Sequence, residues 1–370
     1  MPLHFRAVLC SALGLALVSF GCKSSTDPVA ALSDPNATAA QAAALDSALS
    51  APAVASFQAL GSQIHVSPSV NRAVGVLGAL SLAQPGHDRY AALARQSRAL
   101  EQVVPGFVTM SATGIFPDTL LGSVYAWNTD SGRYTRSSPT GGPANGIRFL
   151  LYATAAGADQ PSLPLVQVGY ADLQDEGIGG TARLHILVKN NAGTVTYLDY
   201  TFTGSGSSSN FTASVMGTVS NGLAGGTNKT LSFNISITGS SSSITITLSV
   251  SLNNPAVTVQ ETVTVVDNGT TTTLTITFTL TRPGESVTLA GMVAVSNLDG
   301  SATFNITITV NGRSYATIAG STGQPVITRR GGGQLTMDET NALTHLFVAA
   351  ADVSEHVTAM FAPAQRILGF

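Results

Sequence analysis

The sequence predicts a mainly β fold with flanking α-helices: a long antiparallel up-and-down meander, curled or shaped as a half-barrel. Three observations lead to this prediction. Apolar and polar residues alternate through residues 183–319, turn-forming pairs such as Asn-Gly separate the runs, and amphipathic helical patterns lie before and after them. A period of two places successive side chains on opposite faces of a strand, so each strand has one apolar face. We expect N-terminal and C-terminal helices to cover that face.

The strands follow one another at regular intervals. Six apolar runs begin near residues 231, 244, 257, 272, 287 and 302, and further strands are predicted near 184, 195, 211 and 313. A spacing of one strand plus a turn is typical of an up-and-down sheet. Val310-Asn311-Gly312-Arg313 predicts a two-residue hairpin, because Asn-Gly accepts the positive φ angles that such a turn requires. Together with the segment before them, these runs predict ten or more strands.

The middle segment, 108–180, has shorter strands and longer loops. Residues 123–128 and 133–137 predict a hairpin, and 146–153 is apolar on both faces, which indicates a central strand. Two clusters here have alternative interpretations. The first consists of aromatic side chains that either pack on the β core, which we favour, or form a platform for a sugar or peptide: Tyr125, Trp127, Tyr134, Tyr152 and Tyr170. The second, Asp172, Asp175 and Glu176, lacks the spacing of a Ca²⁺ loop and is interpreted as a solvated acidic turn.

Helical patterns occupy both ends of the chain. Residues 37–104 predict three or four short amphipathic helices, one of which begins near Pro52 and buries a stripe of Val54, Phe57 and Leu60. At the other end, Thr336 and Glu339 have the spacing of a capping box, in which each side chain bonds the other residue's backbone N–H. Apolar residues at helical spacing continue from there to residue 361.

Composition and motifs exclude several classes of protein. The net charge is −3, only 10% of the residues are charged, and no basic patch with interleaved aromatics occurs, so nucleic acid is not an expected partner. No G-x-S-x-G, P-loop or G-x-G-x-x-G motif is found. His345 and His356 would be too few ligands for a metal site. We therefore expect a protein that is not an enzyme and has no cofactor or metal.

The N-terminus predicts export. A short basic start is followed by an apolar run, 7–18, of signal-peptide length, and then by Ser19-Phe20-Gly21-Cys22. This stretch of some twenty residues resembles the lipobox of bacterial lipoproteins. The resemblance implies cleavage before Cys22, lipid on that cysteine and attachment to a membrane of the bacterial envelope, expected to be the outer membrane, on its periplasmic or surface face. A plain secretory signal is the alternative.

These patterns divide the chain as follows. We expect a signal peptide at 1–21, a flexible tether at 22–36, a helical segment at 37–104, an antiparallel β domain at 105–335 and a C-terminal amphipathic helix at 336–370, with 37–370 forming one structural unit.

A sheet of this size must remove its apolar face from water, by curling, by helical cover or by contact with lipid. The leading hypothesis is a non-enzymatic lipoprotein that binds a lipid or other hydrophobic ligand between sheet and helices. The ligand would be lined by large apolar residues from both: Phe233, Ile246, Phe278, Phe304, Leu346, Phe347 and Met360. The alternatives are a structural or adhesive lipoprotein with a solid core, an outer-membrane β-barrel, and an enzyme whose site is assembled in the middle segment.

Overall fold

The computed structural model describes the larger part of the predicted β domain and pieces of the segments on either side of it. The described residues are 32–37, 40, 51–63, 114–155, 160–179, 181–206, 210–240, 243–321, 324–332 and 335–343. The predicted tether before residue 32, most of the helical segment 37–104 and the C-terminal helix beyond residue 343 lie outside them.

Fifteen strands and one long helix make up the described structure. The helix, α1, spans Pro52–Gln63, and residues 337–343 are also helical. The strands in chain order are β1 Val124–Asn128, β2 Arg133–Ser138, β3 Gly146–Tyr152, β4 Gln167–Asp175, β5 Ala182–Lys189, β6 Thr196–Gly206, β7 Asn210–Ser220, β8 Thr230–Ser240, β9 Ser243–Leu252, β10 Val257–Asp267, β11 Thr271–Arg282, β12 Glu285–Ser296, β13 Ala302–Val310, β14 Arg313–Ser321 and β15 Gln324–Arg329.

All fifteen strands belong to one sheet, in which chain order is kept from β3 to β15. Neighbours are antiparallel except for β1 and β3, which are parallel, so that β2 forms one edge and β15 the other. The sheet is not closed. The predicted meander is therefore confirmed, as is the Asn311-Gly312 hairpin, where φ is +50° and +74° and β13 passes directly into β14.

The alternation in the sequence becomes two chemically distinct faces. One face collects the apolar residues, which are almost all buried; on β9 these are Ile244, Leu248, Val250 and Leu252. The opposite face carries half-exposed hydroxyl groups, some of which bond across strands. Thr245 Oγ1 lies 3.2 Å from Thr264 Oγ1, and Thr279 Oγ1 lies 3.0 Å from Thr288 Oγ1. Such pairs satisfy part of the polar face within the sheet itself.

Helix α1 covers one end of the apolar face. It packs against β3, β4, β5 and β6. Val54, Phe57 and Leu60 are completely buried, as the spacing of three along a helix predicts. This part of the predicted helical cover is confirmed.

The C-terminal helix begins as predicted. The backbone N–H of Thr336 donates to Glu339 Oε2 at 2.8 Å, and the N–H of Glu339 donates to Thr336 Oγ1 at 3.2 Å, which is the reciprocal capping box. Arg329 at the end of β15 approaches the same carboxylate, with 3.4 Å between Nη2 and Oε1. Ala342 and Leu343 are buried in the core, so the first turns of this helix pack on the protein.

The described part of the N-terminal segment is attached to the sheet at the β11–β12 hairpin. Leu32 is buried. The N–H of Ser33 donates to Glu285 Oε2 at 2.6 Å, across 252 residues of sequence. Arg282 donates to the Ser33 hydroxyl and to the Asp34 carbonyl, both at 3.1 Å, and pairs with Glu285 through Nη2 and Oε1 at 2.6 Å. Residues 32–34, which the sequence assigned to the tether, are held by this buried ion pair.

Candidate functional site

A single acidic side chain interrupts the apolar face near the centre of the sheet. Glu261 lies in β10 between Val259 and Val263, and it pairs in register with Leu248 on β9 and Phe278 on β11. The row of paired residues to which it belongs is otherwise apolar from β6 to β14: Phe202, Val215, Ile235, Leu248, Phe278, Leu289, Ile308 and Ala316. A carboxyl group therefore stands where eight neighbouring strands have apolar side chains.

Glu261 has no partner within the part of the chain that the structure describes. No N–H, hydroxyl or cationic side chain there bonds its carboxyl group. Part of the residue's surface is still accessible, but the carboxyl group is almost wholly surrounded by protein atoms. Burial raises the pKa of Glu261 to about 7, because a charged carboxylate loses hydration there without gaining a counter-charge.

Two residues of the apolar face on strands near Glu261 keep more accessible surface than their neighbours along the same strands. On β9, Ile246 is only partly buried, whereas Ile244 and Val250 are 1% and 0% exposed. On β12, Gly291 is half-buried, whereas Val287 and Val293 are 1% and 0% exposed. Exposure thus falls towards both ends of the strands. We name the mid-sheet patch as Ile246 and Gly291 together with Glu261 and the buried Ile237 and Ile276, which are each 9% exposed.

Strand pairing joins the residues of the mid-sheet patch through Val263, which is itself only 3% exposed. Ile237 pairs with Ile246, Ile246 with Val263, Val263 with Ile276, and Ile276 with Gly291. Glu261 precedes Val263 by two residues and so points to the same face. The patch is a strip across five strands, β8 to β12, and it combines aliphatic side chains, one glycine and one unpaired carboxyl group. Such an arrangement suits a molecule that is mostly apolar with one polar group.

The predicted ligand-lining residues share this face but do not form one cluster. Ile246 belongs to the mid-sheet patch, and Phe278 adjoins it as the partner of Glu261. Phe233 lies further along β8, where its ring centroid is 6.3 Å from that of Tyr200. Phe304 is partly buried on β13, opposite Val293. The three residues predicted from the C-terminal helix, Leu346, Phe347 and Met360, lie outside the described residues.

Glu261 was not among the predicted site residues, although the sequence contains a signal for it. Val257, Val259, Val263 and Val265 alternate through β10, and residue 261 occupies the missing apolar position. An acidic residue at a position of the strand that faces the core must itself be buried. Shifting the register by one residue to expose it would turn all four valines towards solvent. Because the predicted ligand-lining residues were chosen as large apolar side chains, Glu261 was not included among them.

A second candidate lies on the opposite face, in β3 to β6, where charged side chains gather. Arg148 forms a bidentate pair with Asp172, with 2.6 Å from Nε to Oδ1 and 2.8 Å from Nη2 to Oδ2. The guanidinium group also lies over the Tyr170 ring, 4.0 Å from its centroid. Asp172 is buried. This pair links β3 to β4 and leaves little of the carboxylate available to a ligand.

His185 is the centre of the neighbouring group. Its Nδ1 lies 2.9 Å from Glu176 Oε1 and its Nε2 lies 2.9 Å from Asp199 Oδ1. Arg183 approaches the other Glu176 oxygen at 3.2 Å. Both ring nitrogens of His185 therefore face carboxylate oxygens, and these contacts connect β5 to Glu176 after β4 and to Asp199 on β6. With both nitrogens engaged, His185 has none left to act as a base on a substrate, and we interpret the group as structural.

The structure corrects the interpretation of the acidic cluster as a solvated turn. Asp172 and Asp175 belong to β4 rather than to a loop, and each of the three acids has a partner. Asp175 accepts from the N–H groups of Ile115 at 2.7 Å and Gly177 at 2.9 Å. Gly177 is a local partner, but Arg148 and His185 lie on other strands and Ile115 is sixty residues from Asp175, so local spacing could not reveal them.

Three of the five aromatic residues, Tyr125, Trp127 and Tyr134, pack on the β core as favoured from the sequence. Tyr125 stacks on Phe149 with 5.1 Å between ring centroids, and Tyr134 meets Trp127 and Phe149 edge-on at 5.6 and 5.5 Å. The Tyr134 hydroxyl donates to the Leu150 carbonyl at 2.8 Å. The rings therefore pack mainly on one another.

Within the described ranges, no three His, Cys, Asp or Glu side chains converge as ligands of a metal ion. No helix in that part of the chain has the length and apolar character needed to cross a bilayer. The chain matches no protein-family model, and neither a curated protein nor a solved structure is similar enough to count as a match.

Proposed function

We propose that this chain is a non-enzymatic lipoprotein of the bacterial envelope that binds a lipid or another hydrophobic molecule against the apolar face of its sheet. In this proposal, lipid on Cys22 holds the protein on a membrane. The open sheet curves over helices from both ends of the chain, and the ligand occupies the space beside the mid-sheet patch.

The observation that carries the proposal is the position of the accessible surface. A solidly packed core would bury the centre of the sheet most deeply, since protein interiors are close-packed. Here Ile246 and Gly291 at the centre are more accessible than their neighbours at both ends of β9 and β12. Accessible aliphatic surface in the interior of a sheet is the property that an apolar ligand needs.

The other candidate is a structural or adhesive lipoprotein with a solid core. It is favoured by the complete burial of many apolar residues on either side of the patch, such as Val250, Val259 and Leu280. The two functions differ in whether the patch takes up a molecule.

Binding can be tested on the full-length chain purified in mild detergent. We expect solvent extraction followed by mass spectrometry to recover a non-covalent lipid in about equimolar amount. Ile246→Trp should reduce that amount severalfold, because the indole fills space at the mid-sheet patch. Thr247→Trp, one residue away on the hydroxyl face, should leave it unchanged. Circular dichroism and thermal unfolding verify that both variants fold. Absence of lipid from the wild type would favour the solid core, and equal lipid in both variants would contradict binding at the mid-sheet patch.

Attachment through Cys22 makes a separate prediction. Mass spectrometry of the N-terminal peptide should find a mature chain that begins at Cys22 and carries the mass of a diacylglyceryl group. Cys22→Ala should block this processing, because the thiol is the site of acylation. A mature N-terminus at any other residue would contradict the lipoprotein assignment and would leave the binding proposal standing.

A further inference from the structure

We propose that the mid-sheet patch binds an amphiphile with a primary ammonium head group, which pairs with Glu261 while its alkyl chain lies along the aliphatic strip. This inference rests on the proposed function, since it names the chemical class of the hydrophobic ligand. It goes further because it assigns the recognition of the polar end of that ligand to one residue.

The carboxyl group of Glu261 is surrounded by apolar side chains. Leu248 and Phe278 flank Glu261 on the neighbouring strands, and Val259 and Val263 flank it along its own strand. All four are buried. An ionised carboxylate in such surroundings is unfavourable unless a cation or hydrogen-bond donor accompanies it.

The described residues supply no cation or hydrogen-bond donor to the Glu261 carboxyl group. The other charged groups on β8 to β12 that point to this face lie at the ends of strands and are already engaged. Arg282 bonds Glu285, Ser33 and Asp34 at one end. Asp267 accepts from the Gly269 N–H and the Asn297 amide at the other. Glu261 is therefore a buried acceptor in an otherwise apolar strip, and it lacks a donor among the described residues.

The charge of the Glu261 carboxylate determines which head group of a ligand it would bind. A carboxylate acceptor attracts an ammonium group by charge and by hydrogen bonding, binds a hydroxyl by hydrogen bonding alone, and repels another carboxylate. Burial raises the pKa of Glu261 to about 7, so the carboxylate predominates at pH 8 even before a cation stabilises it. Partly accessible aliphatic surface at Ile246 lies near the carboxyl group, because Ile246 pairs with Val263, two residues along β10 from Glu261, and it accommodates the alkyl chain.

The test compares three probes of equal chain length: dodecylamine, dodecan-1-ol and dodecanoate. Each is added at pH 8 to the full-length protein in detergent, and the bound fraction is counted by native mass spectrometry. Glu261→Gln is compared with the wild type, so that partition of each probe into micelles cancels. Glu176→Gln, on the hydroxyl face, is the matched control, because it removes the same charge far from the mid-sheet patch.

We expect the wild type to bind dodecylamine best and dodecanoate least. Glu261→Gln should lower amine binding about tenfold or more, the usual size of a charge-assisted hydrogen bond, and change alcohol binding less than about twofold. Glu176→Gln should bind all three probes as the wild type does. Equal amine binding by wild type and Glu261→Gln, or dodecanoate bound as well as dodecylamine, would overturn the inference while leaving the proposed function intact. Failure of all three probes to bind the wild type would also overturn the inference, whereas the proposed function is decided separately by the lipid that co-purifies with the wild type.

Discussion

Replacing Glu285 by Gln should lower the free energy of unfolding by about 3 kcal/mol at pH 7, the lower end of the range for breaking a buried ion pair. The lower end applies because the pair lies at a hairpin rather than in the centre of the core. The side chains of Glu285 and Arg282 are only 1% and 9% exposed. The substitution leaves the guanidinium group buried without a counter-charge.

The Glu285→Gln variant should also lose hydrogen bonds, because both carboxylate oxygens of Glu285 act as acceptors. One Glu285 oxygen accepts the Ser33 N–H at 2.6 Å, and the other accepts Arg282 Nε and Nη2 at 3.0 and 2.6 Å. A Gln amide has one oxygen and one NH₂ group. Whichever way it turns, its NH₂ group meets a donor, so either the N-terminal segment or Arg282 loses its acceptor.

The effect should depend on pH. Burial alone would raise the pKa of Glu285, but the hydrogen bonds from Ser33 and the charge of Arg282 outweigh it and hold this pKa below the ordinary value of 4.5. A depressed carboxyl pKa stabilises the folded state above the unfolded pKa, and this contribution is lost as pH falls through the folded pKa. The difference between wild type and Glu285→Gln should therefore be complete at pH 7 and shrink below about pH 4.5.

Denaturant unfolding at several pH values, together with hydrogen exchange at the Ser33 amide, measures both effects. Asp299→Asn is the control, because Asp299 is a solvent-exposed hairpin carboxylate that also has a lowered pKa, of about 2. Its replacement should leave the N-terminal segment attached. If Glu285→Gln unfolded at the same denaturant concentration as the wild type at pH 7, the ion pair would not be what holds residues 32–34.

Glu261→Gln should raise the free energy of unfolding at alkaline pH, whereas Glu285→Gln should lower it. The pKa of Glu261 is about 7 in the folded protein against 4.5 in the unfolded chain. The wild type thus loses stability as pH rises from 4.5 through 7, because the unfolded chain gives up its proton first. The shift corresponds to about 3 kcal/mol at most. Gln cannot ionise, so the variant should gain up to that amount at pH 8.5 and nothing at pH 4.

Unfolding of the ligand-free protein by denaturant at pH 4, 6 and 8.5 measures this profile. The comparison requires extraction of bound lipid first, because a ligand that binds only the folded state adds stability of its own. Glu176→Gln is again the matched control, since Glu176 has ionic partners on the hydroxyl face. Parallel pH profiles for the wild type and Glu261→Gln would mean that the carboxyl group is solvated rather than buried in the apolar face.

Much of the β architecture could be predicted because its signals are local. The alternation through β8 to β14 determines which side chains share a face, and the turn pairs determine where each strand ends. The Asn311-Gly312 hairpin and the Thr336–Glu339 capping box depend on residues at most three positions apart, and both are present. Helix α1 follows from a stripe of three apolar residues and is also local.

The acidic groups were harder to predict because their roles depend on residues that are distant in sequence. Asp172 pairs with Arg148 across a strand pair, and Glu176 and Asp199 meet at His185 only because β5 lies between β4 and β6. The parallel pairing of β1 with β3 likewise follows from the way the β1–β2 hairpin folds back, which no local pattern encodes.

For the candidate site, too, the face of each residue could be predicted from the sequence, but its exposure and its partners could not. Ile246 and Phe278 could be assigned to the apolar face from periodicity, since a period of two fixes the face for every residue of a strand. Their exposure could not, because it depends on what packs over each position. The same holds for Glu261: the register of the valines places it inside, whereas the absence of a donor among the described residues is a property of the folded neighbourhood.

The strands, their two faces and the helical patterns on either side could be predicted from the sequence alone, because they follow from side-chain direction and turn geometry along a short stretch of chain. The folded arrangement was needed to show that Ile246 and Gly291 remain partly accessible, that the buried Glu261 carboxyl group has no donor among the described residues, and that Ser33 is bound to Glu285. Burial and pairing arise from contacts between segments that the chain brings together when it folds, and desolvation then sets the charge of each group.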